Sequence, residues 1–140
     1  KQAAGNTKFA LVTEPARDGG KVVIARKGSA RFKLKIIGRP SHSGSKHEEG
    51  RSAIREMARQ ICDIEDMTDY DKGLTFNAGF IEGGTAPNVV PQECRLELDC
   101  RFVRLTDGEA AVETIYTRKP YDPDVRIEVS GGLSRPPMEK

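Results

Sequence analysis

Both histidines of this sequence lie in one short segment, GRPSHSGSKHEEG, at residues 38–50. His42 and His47 are five residues apart, and the Gly, Ser and Pro residues around them disfavour a helix. Because a paired-histidine zinc site places its ligands four residues apart on one helix face, this spacing does not predict a metal site. His42 lies between two serines at a predicted strand end, where a ligand could approach the imidazole, although an exposed loop histidine is the simpler interpretation. We expect His47 to be a surface residue.

A second segment of this type, GGTAPNVVP, contains Asn88 between two prolines. The prolines restrict the backbone there, so the Asn88 amide could be presented to a carboxylate or a carbonyl group. A turn asparagine is the commoner alternative. Arg101 falls on the polar face of a later predicted strand, where it is an ordinary surface arginine unless a ligand is found for it. Nothing in the sequence places these residues beside His42.

Composition limits the possible classes of protein. The chain has 140 residues, a formal net charge of +2 and 36% hydrophobic residues, which is typical of one globular domain of ordinary charge. This charge singles out neither nucleic acid nor an anionic membrane as a partner. The apolar runs are too short for a membrane span, and the polar start is not a signal peptide. Three cysteines without a CxxC pattern predict buried thiols and a cytoplasmic protein.

Hydrophobic periodicity predicts the elements that must position these side chains. Apolar residues alternate around residues 31–36, 74–80, 94–102 and 125–129, which predicts four strands. Helical spacing predicts helices at about 50–66 and 106–118, the second capped by Thr106 or Asp107. The residues predicted to face the core from the first helix are Ile54, Met57, Ala58, Ile61 and either Ile64 or Glu65. The order is typical of an α+β, ferredoxin-like βαββαβ domain, with a four-stranded antiparallel sheet and two helices on one face.

Three ordered motifs carry a resemblance: GRPSHSG before a helix, then FIEGGTAPNVVP, then LDCRFV. Together they resemble the lid or dimerisation domain of the zinc-dependent aminoacylase and carboxypeptidase family, which includes glutamate carboxypeptidase, acetylornithine deacetylase and succinyl-diaminopimelate desuccinylase. The resemblance implies that residues 1–27 end a catalytic-domain segment and linker, that residues 28–131 form the lid, and that residues 132–140 return to the catalytic domain.

The same resemblance implies roles for four residues. His42 matches the lid histidine that crosses a homodimer and stabilises the oxyanion in the partner's active site. Asn88 and Arg101 match residues that hold the carboxylate end of the substrate, and Glu14 matches a metal ligand of the catalytic domain. The family uses two zinc ions, with cobalt or manganese as possible substitutes, to hydrolyse an amide bond in a small peptide or N-acyl amino acid. Its H-x-D motif is absent here, so we expect the chain to be inactive alone.

A binding module for RNA or a protein partner, without catalytic activity, is the competing hypothesis, because ferredoxin-like sheets also bind single-stranded RNA through exposed aromatic rings. The predicted strand phase places four aromatic residues on the helix-covered side of the sheet, namely Phe32, Phe76, Phe80 and Phe102. That phase disfavours RNA and leaves a charged open face. A domain that serves chiefly for self-association, through a sheet edge and its neighbouring helix, is compatible with the lid hypothesis.

Overall fold

The computed structural model describes residues 23–138, so Glu14 and the predicted catalytic-domain segment before residue 23 lie outside the described residues. Four strands and two helices follow one another: β1 (Gly28–Ile37), α1 (Ala53–Glu65), β2 (Thr75–Gly83), β3 (Glu93–Phe102), α2 (Leu105–Tyr116) and β4 (Arg126–Arg135). A short 3₁₀ helix, His47–Glu49, precedes α1. None of the described helices is long and apolar enough to cross a membrane.

The strands form one antiparallel sheet in the order β2-β3-β1-β4, with both helices packed on the same face. Strands β1 and β3 lie in the centre and pair over their whole lengths, from Gly28 opposite Phe102 to Ile37 opposite Glu93. This arrangement confirms the predicted ferredoxin-like α+β fold. It also makes β2 and β4 the two edge strands of the sheet.

The core lies between the helices and the two central strands. Alternate residues of β3 are buried, and β1 supplies the facing set: Ala30, Phe32, Leu34 and Ile36 from β1, and Cys94, Leu96, Leu98, Cys100 and Phe102 from β3. The ring of Phe102 packs against the backbone of Gly28 and Gly108, where a Cβ atom would collide with it. The period-2 pattern of the sequence therefore identifies the buried face of both central strands correctly.

The predicted position of Phe80 is wrong. The pairing of β2 with β3 shifts between Ala78 and Phe80, which leaves Gly79 without a partner residue and reverses the facing of the side chains that follow. Phe80 is consequently 52% exposed and lines the open face of the sheet. The argument that strand phase keeps the aromatic rings away from RNA bases therefore fails for Phe80. The open face still alternates basic side chains with Glu93, Glu97 and Asp99, which pair with them.

The buried face of α1 also differs from the prediction. Met57 and Ile64 are buried as expected, but Ile54 and Ala58 are exposed, and Ile54 lies beside Gly84 at the end of β2. Two polar residues that the prediction left out of the buried face, Glu56 and Gln60, are almost completely buried. Helical spacing alone does not reveal this, because a buried carboxylate and amide are tolerated only where tertiary contacts satisfy them.

Two element ends differ from the prediction. Helix α2 begins at Leu105 with Arg104 as its N-cap, and neither Thr106 nor Asp107 caps it. The last strand continues to Arg135, so it extends four residues into the predicted return linker. Gly131 and Gly132 occupy positive φ values of 103° and 142° within this strand, which interrupts the apolar alternation that the prediction relied on. The predicted domain boundaries themselves remain predictions.

Candidate functional site

Two loops meet at one end of the sheet. We call residues 38–51 the His42 loop and residues 84–92 the Asn88 loop. His42 forms an antiparallel bridge with Val89, the Ser43 amide donates to the Asn88 carbonyl at 3.0 Å, and the Val90 amide donates to the Ser41 carbonyl at 2.9 Å. Residues far apart in the sequence are thus joined by backbone hydrogen bonds. The candidate residues His42 and Asn88 therefore lie side by side.

The imidazole of His42 is held in one orientation by its own turn. Its Nδ1 atom accepts hydrogen bonds from the backbone amides of Gly44 at 3.1 Å and Ser45 at 3.3 Å. A neutral imidazole carries one proton, so a ring that accepts at Nδ1 must carry that proton at Nε2. His42 is exposed, which leaves the Nε2 atom free to donate a hydrogen bond outward. His47 is exposed as predicted and lies in the short 3₁₀ helix.

Asn88 contributes its backbone to the loop pairing and leaves its side chain in solvent. Among residues 23–138, no hydrogen bond holds the Asn88 amide group, so both its oxygen and its nitrogen are available to a ligand. Gly50 closes the base of the same site, because a Cβ atom there would collide with Ser41 Oγ and lie 2.8 Å from Val90 Cγ1. The two loops are therefore packed tightly beneath two exposed polar side chains.

Arg101 lies on the open face of the sheet. Its Nε donates to Asp99 Oδ2 at 2.6 Å and its Nη2 donates to Asp99 Oδ1 at 3.2 Å, which fixes the plane of the guanidinium. Arg31 shares the same carboxylate, with 3.3 Å between its Nε and Asp99 Oδ1. Two positive charges facing one negative charge leave a net positive site in a shallow cavity of about 800 Å³, which Asn77 and Phe80 also line.

Arg101 and His42 are not brought together within one copy of the chain. Arg101 lies opposite Ser29 at the beginning of β1, whereas the His42 loop leaves the far end of β1 after Ile37, opposite Glu93. The eight residues from Glu93 to Arg101 span about 26 Å along the strand. A single small substrate cannot contact both side chains of one copy.

The sequence predicts the position of only one of the residues that hold the candidate side chains in place. Asp99 and Arg101 are two apart on one strand, and this spacing was sufficient to predict that they share a face. Arg39 and Arg51 bind Asp124 from the distant segment before β4, and no local pattern indicates that contact.

The described residues do not form a metal centre. Between residues 23 and 138, no group of three or more His, Cys, Asp and Glu side chains is arranged to hold a metal ion. Cys62 is exposed, which contradicts the prediction of three buried thiols, whereas the thiols of Cys94 and Cys100 are buried. Burial raises the pKa of both, that of Cys100 to about 12. A thiolate ligand or nucleophile is therefore disfavoured at either position.

Fold and site together define a ferredoxin-like domain with two paired loops at one sheet end and an arginine at the other. A family model described as a peptidase dimerisation domain matches residues 24–118, which is more than half of the chain. The chain belongs to this family of peptidase dimerisation domains. This finding confirms the resemblance that the three motifs carry.

Individual proteins that are similar to this chain are named as peptidases. The chain is 30% identical to carboxypeptidase G2 of Pseudomonas sp. strain RS-16, over 89% of this chain and 31% of that protein. It is 35% identical to a peptidase M20 domain-containing protein of Schizosaccharomyces pombe, over 77% of this chain and 26% of that protein. A tripeptidase structure from Staphylococcus aureus aligns with a TM-score of 0.79 at 25% identity, over 91% of this chain and 34% of that chain. The chain thus spans about a third of the length of these relatives.

Proposed function

We propose that this chain is the dimerisation domain of a metal-dependent peptidase or amidohydrolase that cleaves an amide bond next to a carboxylate-bearing group. In this proposal His42 donates a hydrogen bond from Nε2 to the oxyanion that forms when the amide carbonyl is attacked. The observation that carries the proposal is the pair of backbone amides on His42 Nδ1, because they select the tautomer that can donate outward.

Arg101 is proposed to bind the carboxylate of the substrate. Asp99 occupies one side of its guanidinium and leaves the Nη1 donors for a ligand, an arrangement that suits a planar carboxylate. Asn88, beside His42, is proposed to contact the carboxylate or the carbonyl group of the same substrate. The name of the relative carboxypeptidase G2 is consistent with a substrate that carries a free carboxylate.

The separation of the two sheet ends is consistent with a site shared between two subunits. Arg26 and Met138 pair with each other near the Arg101 end, so the segments that would join this domain to a catalytic domain leave the sheet there. We therefore assign Arg101 to the active site of its own subunit. The His42 loop lies at the far end and is assigned to the active site of the partner subunit in a homodimer.

The β2 edge is the proposed dimer surface. Ile81 on β2 is 51% exposed, and it lies on the side of the sheet where α1 exposes Ile54 and Ala58. Ile54 also lines a shallow depression with Val89 and Pro91 of the Asn88 loop, so this apolar surface is continuous with the site. The opposite edge is less regular, because β4 contains Gly131 and Gly132 at positive φ.

The metal centre of the parent protein is proposed to lie in the catalytic domain, with Glu14 as one ligand of two zinc ions. The described residues do not fit such a centre, so the side chains of this domain are proposed to contact the substrate and not the metal ions. Cys62, Cys94 and Cys100 are all unpaired, which suits the proposed cytoplasmic location.

The proposal is tested by His42→Ala in the full-length parent enzyme. We expect kcat to fall by about 10²-fold, because one oxyanion donor is lost, while metal content and dimer formation stay unchanged. His47→Ala, in the same loop and also exposed, is the matched control and should keep the kcat of the wild type. A large loss of metal in His42→Ala, or an unchanged kcat, contradicts the oxyanion role.

A further inference from the structure

The His42 loop is closed at its base by two arginines. The Arg39 amide donates to the Arg51 carbonyl at 3.0 Å, and the Arg51 amide donates to the Arg39 carbonyl at 2.8 Å. This bridge brings the two limbs of the loop together, with His42 on the first limb and the 3₁₀ helix on the second. The side chains of both arginines then extend from the base of the loop in the same direction, toward the segment before β4.

Both guanidinium groups bind the carboxylates of that segment. Arg51 reaches Asp124 Oδ2 with Nε at 3.1 Å and Nη2 at 3.0 Å, and its Nε lies 3.3 Å from Asp122 Oδ2. Arg39 Nη2 lies 3.4 Å from the same Asp124 oxygen. The side chain of Arg51 is only 28% exposed, so this group of charges is partly shielded from solvent.

The same arginines also bind the backbone of the loop itself. Arg51 Nη1 donates to the carbonyls of Glu48 at 3.0 Å and Gly50 at 2.8 Å, and Arg39 Nε donates to the Glu49 carbonyl at 2.7 Å. Each guanidinium therefore links the second limb of the loop to the carboxylates before β4. We call Arg39, Arg51, Asp122 and Asp124 the arginine clamp.

The segment to which the clamp attaches is itself fixed to α1. The carboxylate of Glu56, 3% exposed, accepts hydrogen bonds from the amides of Tyr121 at 3.0 Å and Asp122 at 3.3 Å. Gln60, fully buried, donates to Glu56 at 2.9 Å and to the Lys119 carbonyl at 3.0 Å. Because these buried groups are satisfied by one another, the segment is a rigid support for the clamp.

We propose that Arg51 is a positioning residue for His42, acting through Asp122 and Asp124. This inference rests on the proposed oxyanion role of His42. The loop has no strand or long helix of its own, so its placement depends on the pairing with the Asn88 loop on one limb and on the clamp on the other. Without the clamp, the first limb keeps its turn and its pairing with the Asn88 loop, but the second limb loses its attachment to the segment before β4, so the loop can shift and carry His42 with it. A displacement of about 1 Å can lower a rate by as much as 10²-fold.

The test uses Arg51→Gln in the full-length dimeric enzyme, alone and combined with His42→Ala. We expect Arg51→Gln to lower kcat by about tenfold with KM changed by less than about twofold, because the interaction is realised in the transition state. In the His42→Ala background the same substitution should change kcat by less than about twofold, because residues that act as a unit are not additive. Arg104→Gln, which removes an arginine bound to Asp107 by two hydrogen bonds near the other end of the sheet, is the matched control for loss of charge.

Asp124→Asn provides a second variant that keeps the arginine in place. It should lower kcat in the same direction as Arg51→Gln, and the double variant should be no worse than the more severe single variant. If Arg51→Gln does not yield a folded dimer, this variant carries the test by itself.

The outcomes separate the two proposals. An unchanged kcat in His42→Ala overturns the oxyanion role, whatever Arg51 does. A normal His42→Ala effect with kcat unaffected in both clamp variants overturns the positioning role alone. An equal loss from a clamp variant in the presence and absence of His42 also overturns it, because the clamp then acts independently of the imidazole.

Discussion

His42 and Arg101 lie at opposite ends of the same sheet, and the structure holds them by different means. Arg101 belongs to a central strand whose alternate residues are buried in the core, and its guanidinium is fixed by Asp99 from the same strand. His42 lies in a loop whose contacts come from the Asn88 loop and from the arginine clamp. One side chain is positioned by secondary structure, and the other is positioned by tertiary contacts.

This difference indicates where each site is sensitive to change. A strand residue keeps its position while the sheet persists, because the ladder and the core fix it together. A loop residue can be displaced while the fold remains intact, because local openings need far less free energy than global unfolding. Substitutions at the His42 end should therefore alter activity and loop geometry before they alter the fold.

The largest expected effect comes from testing whether the two ends of the sheet contribute to active sites of different subunits. Co-expressed His42→Ala and Arg101→Ala subunits should form heterodimers with one intact active site, because in the proposed arrangement each site takes His42 from one subunit and Arg101 from the other. A statistical mixture then recovers roughly a quarter of the wild-type activity, whereas each homodimer is nearly inactive. Activity of differently tagged, purified dimers is the measurement.

Asn88→Ala provides the control for that experiment. Asn88 lies beside His42, so His42→Ala and Asn88→Ala subunits should not complement one another. Recovery in this second mixture, or none in the first, would contradict the assignment of the two ends to different subunits.

An intermediate effect concerns the backbone of the His42 loop. A Cβ atom at Gly38 would collide with the Arg51 carbonyl oxygen, whereas one at Gly44 would lie 3.4 Å from His42 Cε1, an ordinary contact. We expect Gly38→Ala to lower the free energy of unfolding by about 1–3 kcal/mol and Gly44→Ala to change it by less than about 0.5 kcal/mol. Urea denaturation of the 140-residue chain measures both. Equal values for the two variants would show that the bridge at the base of the loop is easily deformed.

The smallest effect concerns the thiols at the two ends of β3. Burial raises the pKa of Cys100 to about 12, so the folded state favours the protonated thiol more than the unfolded state does. The stabilisation from this pKa shift is fully present at pH values below the pKa of the unfolded thiol. It is lost as the pH rises toward the pKa of the folded thiol. Between about pH 8 and pH 10, we expect Cys100 to account for a loss of roughly 1 kcal/mol in the free energy of unfolding.

The measurement compares the pH dependence of the wild type with that of Cys100→Ala and of Cys94→Ala. The wild type should lose stability more steeply than Cys100→Ala over that interval. The Cys94→Ala curve reports the thiol nearer the His42 end, whose pKa burial also raises. Parallel curves for the wild type and Cys100→Ala would mean that the Cys100 thiol ionises in the folded state as readily as in the unfolded state.

Much of the fold could be predicted because its signals are local. The alternation in β1 and β3 identified the buried faces, and the order of elements identified the ferredoxin-like topology. The errors are nonlocal in origin. Phe80 was misplaced because a bulge at Gly79 reverses the strand phase, and Glu56 was missed as a buried residue because its partners come from residues 121–122.

The candidate site also has some features that the sequence predicts and others that it does not. The motif around His42 and the LDCRFV motif that contains Asp99 and Arg101 are visible in the sequence, and the family model agrees with the resemblance that these motifs carry. The contact between the His42 loop and the Asn88 loop was not visible, because it joins segments more than forty residues apart through backbone atoms.

The sequence by itself determined the family, the order of strands and helices, the buried faces of the central strands and the identity of the candidate side chains. These properties depend on residue type and on periods of two or about four residues, which any segment carries alone. The tertiary structure decided which candidates meet and which carboxylates hold the His42 loop. Those properties depend on hydrogen bonds between distant segments, and such bonds exist only after the chain has folded.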